Sequence, residues 1–204
     1  MDSSLQTLAT TVRACRLCAL RRSCKRPIPG IGKPTARIMF VGQAPGWEED
    51  RDGVPWVGQA GQFLSAVLGA VGIPPADIYL TNLVKCYPGK KRGGDAEPPP
   101  YAIDACAVHL QAEYELLKPV LVVAVGGVAM KALGVKGGGV NLNSGRIFQT
   151  AKWGPVLVVR HPAGIMRRPA DAPAFLTQFH SIGTTVWNKH TGLIPPPFTQ
   201  YRCP

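Results

Sequence analysis

The chain has 204 residues, 46% of them hydrophobic and 17% charged, enough for one domain with a sizeable core and too apolar for a largely disordered protein. Its longest apolar runs, such as residues 120–127, are too short to span a bilayer, and residues 1–15 hold no apolar stretch followed by a small-residue cleavage site, so the expectation is a cytoplasmic protein without a membrane partner. Lys plus Arg is 23 against 12 Asp plus Glu, a net charge of +11 that attracts polyanions, nucleic acid before a membrane surface; the plainer reading is that the charge only aids solubility.

In chain order, residues 1–14 carry Leu5, Leu8 and Val12 at helical spacing. Residues 15–36 are rich in Cys, Arg, Pro and Gly and read as loop. Residues 37–42 (RIMFVG) are a buried strand, 43–58 a long loop, and 60–72 a helix ended by Gly72 and Pro74. A second strand covers 78–82, a basic Pro- and Gly-rich loop 85–100, and a helix 101–118. The strand over 119–125 leads through Gly126-Gly127 into a helix that reaches Leu133. Residues 137–143 read as a flexible loop, 146–150 and 155–160 as strands, and 172–189 as the last helix. One domain over 1–191 and a Pro-rich tail over 192–204 are expected.

Apolar strands alternating with helices predict an α/β fold, a three-layer α/β/α sandwich around a mainly parallel sheet. Ligands bind such sheets at the carboxyl ends of the strands. Three of those ends carry unusual residues: Gly42-Gln43-Ala44-Pro45-Gly46, Thr81-Asn82 and Arg160-His161-Pro162-Ala163. They should converge on one pocket.

Each motif has a chemical and a plainer reading. The segment GQAPGWEEDRDGVPWVGQAG suits a rigid backbone cradle, and it is neither a Walker A loop nor a dinucleotide fingerprint. Trp56 could stack on a planar base or be core. The Asn82 amide, with donor and acceptor, suits a pyrimidine edge, or it caps a strand. His161 is a candidate donor or acid/base, or a structural histidine; behind it, apolar Ile165 and Met166 could wedge into a base stack while Arg167 and Arg168 hold phosphates.

Of the six cysteines, Cys15 and Cys18 form a C-x-x-C pair that precedes the first credible strand, which argues for metal or cluster ligation over thioredoxin-like redox chemistry. Cys86 and Cys106 are the candidates for two further ligands. Cys24, on a basic stretch, competes with them or is a free thiol.

C-x-x-C near the start, GQAPG, GVPWVGQAGQFL, TNLVKC, a second cysteine on a helix and HPAGIMRR follow one another as in the iron–sulfur (family 4) uracil-DNA glycosylases, which the chain resembles over residues 10–190. The resemblance implies the glycosylase α/β/α sandwich, a 4Fe-4S cluster on Cys15, Cys18, Cys86 and Cys106, and hydrolysis of the N-glycosidic bond of deoxyuridine in DNA by a monomer. Zinc is the alternative for a four-cysteine site. The resemblance further implies a uracil pocket of Gly42, Gln43, Ala44, Trp56, Asn82 and His161, with Gln43, Asn82 and His161 carrying the catalysis.

Two departures stand out. Cys86 and Cys106 are separated by nineteen residues, an interval widened by the segment YPGKKRGGDAEPPP. Gln43 stands where such proteins usually have glutamate, so it can orient a water but not act as a base; Glu48, Glu49 and Asp50 are candidates for the missing charge, or form a solvated acidic turn. The basic insertion has no histidine, so ordinary turnover is expected rather than covalent trapping of DNA. Two alternatives compete: a glycosylase for another deaminated base such as hypoxanthine, and a catalytically weak protein that binds damaged DNA.

Overall fold

The computed structural model describes residues 3–179 together with Ile182 and Val186. In chain order its elements are α1 (Ser3–Arg13), β1 (Ile31–Gly32), β2 (Ile38–Gly42), α2 (Trp47–Asp52), α3 (Gln59–Ala70), β3 (Ile78–Asn82), β4 (Lys90–Lys91), β5 (Gly94–Asp95), α4 (Pro100–Leu117), β6 (Leu121–Val125), α5 (Gly127–Ala132), α6 (Val140–Asn143), β7 (Ile147–Thr150), β8 (Gly154–Val159), α7 (Pro162–Met166) and α8 (Ala172–Thr177). The six-stranded sheet runs β1-β3-β2-β6-β8-β7. β3, β2, β6 and β8 are mutually parallel; β1 and β7 are antiparallel edges.

β2 and β6 are apolar along their whole length, and β8 from Val156 onward, because both faces are covered. Alternate residues feed two cores: Met39, Val41, Val122, Ala124, Val156 and Val158 pack with α4 and α5 on one face. Ile38, Phe40, Val123, Leu157 and Val159 pack with α3, α7 and Phe175 on the other. This period of two is the strand's own geometry. From β2 the chain returns to β3 on one side, and β6 lies on the other, so the sheet's switch point falls at the carboxyl end of β2. Crevices open at such points.

The elements expected around the central sheet are present, and four stretches expected as loop are not wholly loop. Within 15–36, residues 19–22 form a 3-10 turn and β1 pairs with β3 at the sheet edge. Within 43–58, α2 forms because Glu49 Oε2 accepts the Gly46 N–H at 3.0 Å and Gly53, at φ 76°, ends the helix in the left-handed region. Within 85–100, the hairpin β4–β5 turns through Gly93 at φ 89°. Within 137–143, α6 occupies the last turn. Of the helix expected over 172–189, α8 is described to Thr177 with a turn at residues 178 and 179; Ile182 and Val186 are again helical, and the other positions from 180 to 189 lie outside the described residues. The expected tail over 192–204 lies outside the described residues, as does Cys203. Among the described residues no helix is long and apolar enough to cross a membrane.

Candidate active site

The three strand ends do converge. A cavity of about 390 Å³ is lined by Gln43 and Ala44 after β2, Asn82 at the end of β3, Trp56 before α3 and His161 after β8. That volume suits a small planar ligand. Gly42 does not line it but lies directly behind: a Cβ at this position would come within 2.3 Å of Asn82 Oδ1 and 2.6 Å of Trp56 Cζ2. Glycine here lets both side chains occupy the wall.

Trp56 is held by three features. Its backbone sits at φ 61°, a left-handed conformation uncommon for a bulky residue. Its Nε1–H donates to the Thr81 carbonyl at 3.1 Å, tying the ring to β3. Its carbonyl fills the space that a Cβ on Gly61 would need, at 1.9 Å. The ring is partly buried against the α3-side core and faces His161, the ring centroids 6.3 Å apart and the planes within 24°. Trp56 is therefore at once core and cavity wall.

His161 caps α7, and its Nδ1 accepts the Ala163 N–H at 3.2 Å. Burial, with Arg167 nearby, lowers its pKa from 6.5 to about 4. The imidazole is neutral at pH 7, and with Nδ1 occupied as acceptor its proton resides on Nε2. Upstream, Arg160 pins the end of β8, donating to Asp171 at 2.8 Å through its guanidinium and to Gln178 Oε1 at 2.9 Å through its backbone.

The acidic residues divide. Asp50 is buried away from the cavity, both oxygens accepting the Lys25 N–H. Glu49 and Glu48 line the cavity, but Glu49 accepts the Gly46 and Gly58 N–H groups and Glu48 that of Gln59. One carboxylate was not singled out from sequence: Asp95, brought to the cavity by the inserted hairpin and held by the Tyr87 hydroxyl at 2.7 Å. Its only signal in the sequence was that it is one of two acidic residues, with Glu97, in the Gly-rich basic segment 87–100.

Behind His161, Ile165 is 2% exposed and packs in the core, whereas Met166, Arg167 and Arg168 are exposed. The expectation that either Ile165 or Met166 forms an apolar tip thus narrows to Met166, because the single turn of α7 directs only one of the two outward.

Cys18, Cys24, Cys86 and Cys106 border one apolar cluster beside α4, and Cys15 lies within electrostatic reach of Cys106. All five are free thiols. Cys24 is buried, its thiol hydrogen-bonded to that of Cys86. Among the described residues no three His, Cys, Asp or Glu side chains stand in metal-site arrangement. Uncrosslinked thiols gathered from the N-terminal segment, the β3 exit and α4 nonetheless match the donor chemistry of a thiolate-bound group.

Residues 29–181 match the family model described as "Uracil DNA glycosylase superfamily". The chain is 30% identical to the type-4 uracil-DNA glycosylase of Archaeoglobus fulgidus over 93% of this chain and 97% of the relative. It is 34% identical to that of Pyrobaculum aerophilum over 81% and 86%, respectively. The type-5 enzyme of Thermus thermophilus is 34% identical over 63% of this chain and 71% of its own. A doubly covered sheet with its cavity at the switch point, and two type-4 relatives matched along 97% and 86% of their length, lead to one assignment: the chain belongs to the uracil DNA glycosylase superfamily, in its type-4 branch.

Proposed function

We propose that the protein hydrolyses the N-glycosidic bond of uracil in DNA, leaving an abasic site for repair. The observation that carries this reading is the convergence of Trp56, Asn82 and the Nε2–H of His161 on one cavity of about 390 Å³. Trp56 stacks on the flipped base, and the Asn82 amide reads the N–H and C=O edge of the pyrimidine.

The C1′–N1 bond breaks with its electron pair going to the base, which leaves as uracil anion. A neutral His161 donates its Nε2–H to the uracil oxygen where that charge accumulates, and backbone N–H groups beside Gln43 and Ala44 add fixed dipoles. Gln43 orients the water whose oxygen bonds to C1′; the proton it loses restores the neutral base. Met166 fills the gap in the stack while Arg167 and Arg168 hold the flanking phosphates. Cys15, Cys18, Cys86 and Cys106 would hold a 4Fe-4S cluster, which would supply a structural tie between the N-terminal segment, the β3 exit and α4.

The test is single-turnover cleavage of a uracil-containing oligonucleotide, read as alkali-labile abasic sites. Cleavage is expected, with loss of it in Asn82→Ala. Tight DNA binding without base release would overturn the reading in favour of a damage-binding protein, and release of hypoxanthine in place of uracil would re-aim it at a purine.

A further inference from the structure

Beneath the base-reading strand lies a buried polar network that the chemistry above does not use. Lys85 and Glu113 are each 1% exposed, and their side chains meet at 2.7 Å. The Lys85 ammonium places its three protons on Glu113 Oε2, Thr81 Oγ1 at 2.6 Å and the Asn82 backbone carbonyl at 3.0 Å. Glu113 is equally saturated: it accepts from the Thr81 hydroxyl at 2.7 Å, from the Gly30 N–H at 3.0 Å and from the Tyr79 hydroxyl. Each polar partner is accounted for, as a buried ion pair demands.

Burying two charges is weak evidence for stability, since an apolar pair of similar volume commonly holds a fold as well or better. The ammonium is instead bound to the two residues that end β3. Asn82 is one of them, and the Thr81 carbonyl is the anchor of the Trp56 indole. From the other side, Leu83 N–H donates to the Gly42 carbonyl and Val84 N–H to that of Gln43. The peptide that projects the Asn82 amide is thus held from above by backbone and from below by one ammonium.

We propose that Lys85 and Glu113 are positioning residues for base recognition: the pair fixes the end of β3 through the Thr81 hydroxyl and the Asn82 carbonyl, and with it the aim of the Asn82 amide and the Trp56 ring. This rests on the assignment of Asn82 as the reader of the base. The network reaches α4 through Glu113, 28 residues along the chain from Lys85, so the pocket's register is set by a helix that contributes nothing to its wall.

The test pairs Lys85→Met with Glu113→Gln, in the whole protein with its cluster. The pair leaves no buried charge, and the glutamine oxygen still accepts from Gly30. Near-native melting is expected, with uracil cleavage under single turnover down about 10- to 100-fold, the scale of a misplaced reactive group. Affinity for uracil-free DNA should stay within about twofold of wild type. In an Asn82→Ala background, its residual cleavage followed at high enzyme concentration, the same pair should cost clearly less than in wild type, since only the Trp56 ring is left to aim. Thr81→Val, which keeps the ion pair and removes the hydroxyl, serves as the milder variant if the double replacement does not fold, and the same loss of coupling is expected of it. Additive losses in the two backgrounds, or unchanged cleavage in a folded variant, would overturn the proposal. Unchanged cleavage in Asn82→Ala alone would instead remove the assignment on which it rests.

Discussion

The Ala163 backbone N–H donates to His161 Nδ1 at 3.2 Å, and this one bond fixes which ring nitrogen can donate to a ligand. Because α7 begins at Pro162, the chain turns immediately after the histidine and presents that N–H to it. The ring is held in one tautomer before substrate arrives, so no proton has to be rearranged during the reaction.

Replacing His161 with Ala should therefore lower the single-turnover rate by about 100- to 1000-fold, the usual cost of one lost donor to a developing anion. DNA affinity should be nearly unchanged. His161→Gln, which still offers an N–H, should retain part of the rate. Parallel losses of melting temperature and affinity in His161→Ala would identify the residue as merely structural.

The same histidine gives stability a defined pH dependence. Its folded pKa lies near 4, below the ordinary 6.5, so between these values the unfolded chain binds a proton that the folded chain excludes. Stability should rise with pH through this window and be lost as pH falls toward 4. Urea unfolding at intervals from pH 4 to 7 reads the slope, and His161→Asn should make it shallower. His109, lowered in the same direction chiefly by burial, supplies a slope that persists in the variant.

Gly42→Ala should be far more damaging than its one methyl group suggests. The new Cβ would meet Asn82 Oδ1 at 2.3 Å and the Trp56 ring at 2.6 Å, so at least one base-contacting group must move. A displacement of about 1 Å near a reacting centre costs on the order of 100-fold in rate. Cleavage kinetics set beside thermal melting separate this from simple destabilisation.

Met166→Ala should impair cleavage in duplex DNA more than in single strands, where no stack must be opened. Ile165→Ala should do the reverse of selective: as a core truncation it costs about 2–5 kcal/mol of stability and lowers activity on both substrates alike. Equal effects of Met166→Ala on the two substrates would remove the wedge role.

Anaerobically purified protein should be brown, with broad thiolate-to-iron absorbance, and Cys15→Ser or Cys86→Ser should abolish the colour. Iron and zinc analysis decides the metal, stoichiometric zinc without iron being the contrary result. Cys24→Ser tests whether the thiol bonded to Cys86 belongs to the ligand set; retained iron would place it outside.

The amino-acid sequence alone determined the layers and the convergence of the site. Strands such as 38–42 and 121–125 are apolar at every position, which only a sheet covered on both faces accommodates, and the parallel order then directs Gln43, Asn82 and His161 to one edge. Hydrophobic period and turn residues are local signals, readable within a dozen positions. What the tertiary structure decided depends on partners distant in the chain. α2 exists because Glu49 satisfies amides on both sides of its own loop, and Asp50 is kept from the cavity because its carboxylate accepts the Lys25 N–H. Asp95 reached the cavity only through the folding back of a hairpin, and Ile165 and Met166 were separated by which side of a single turn faces Phe175 and its neighbours. In sequence Lys85 is a basic residue beside Cys86; that it is buried follows from Glu113 on α4, because a buried charge is tolerated only where a distant residue completes its bonds.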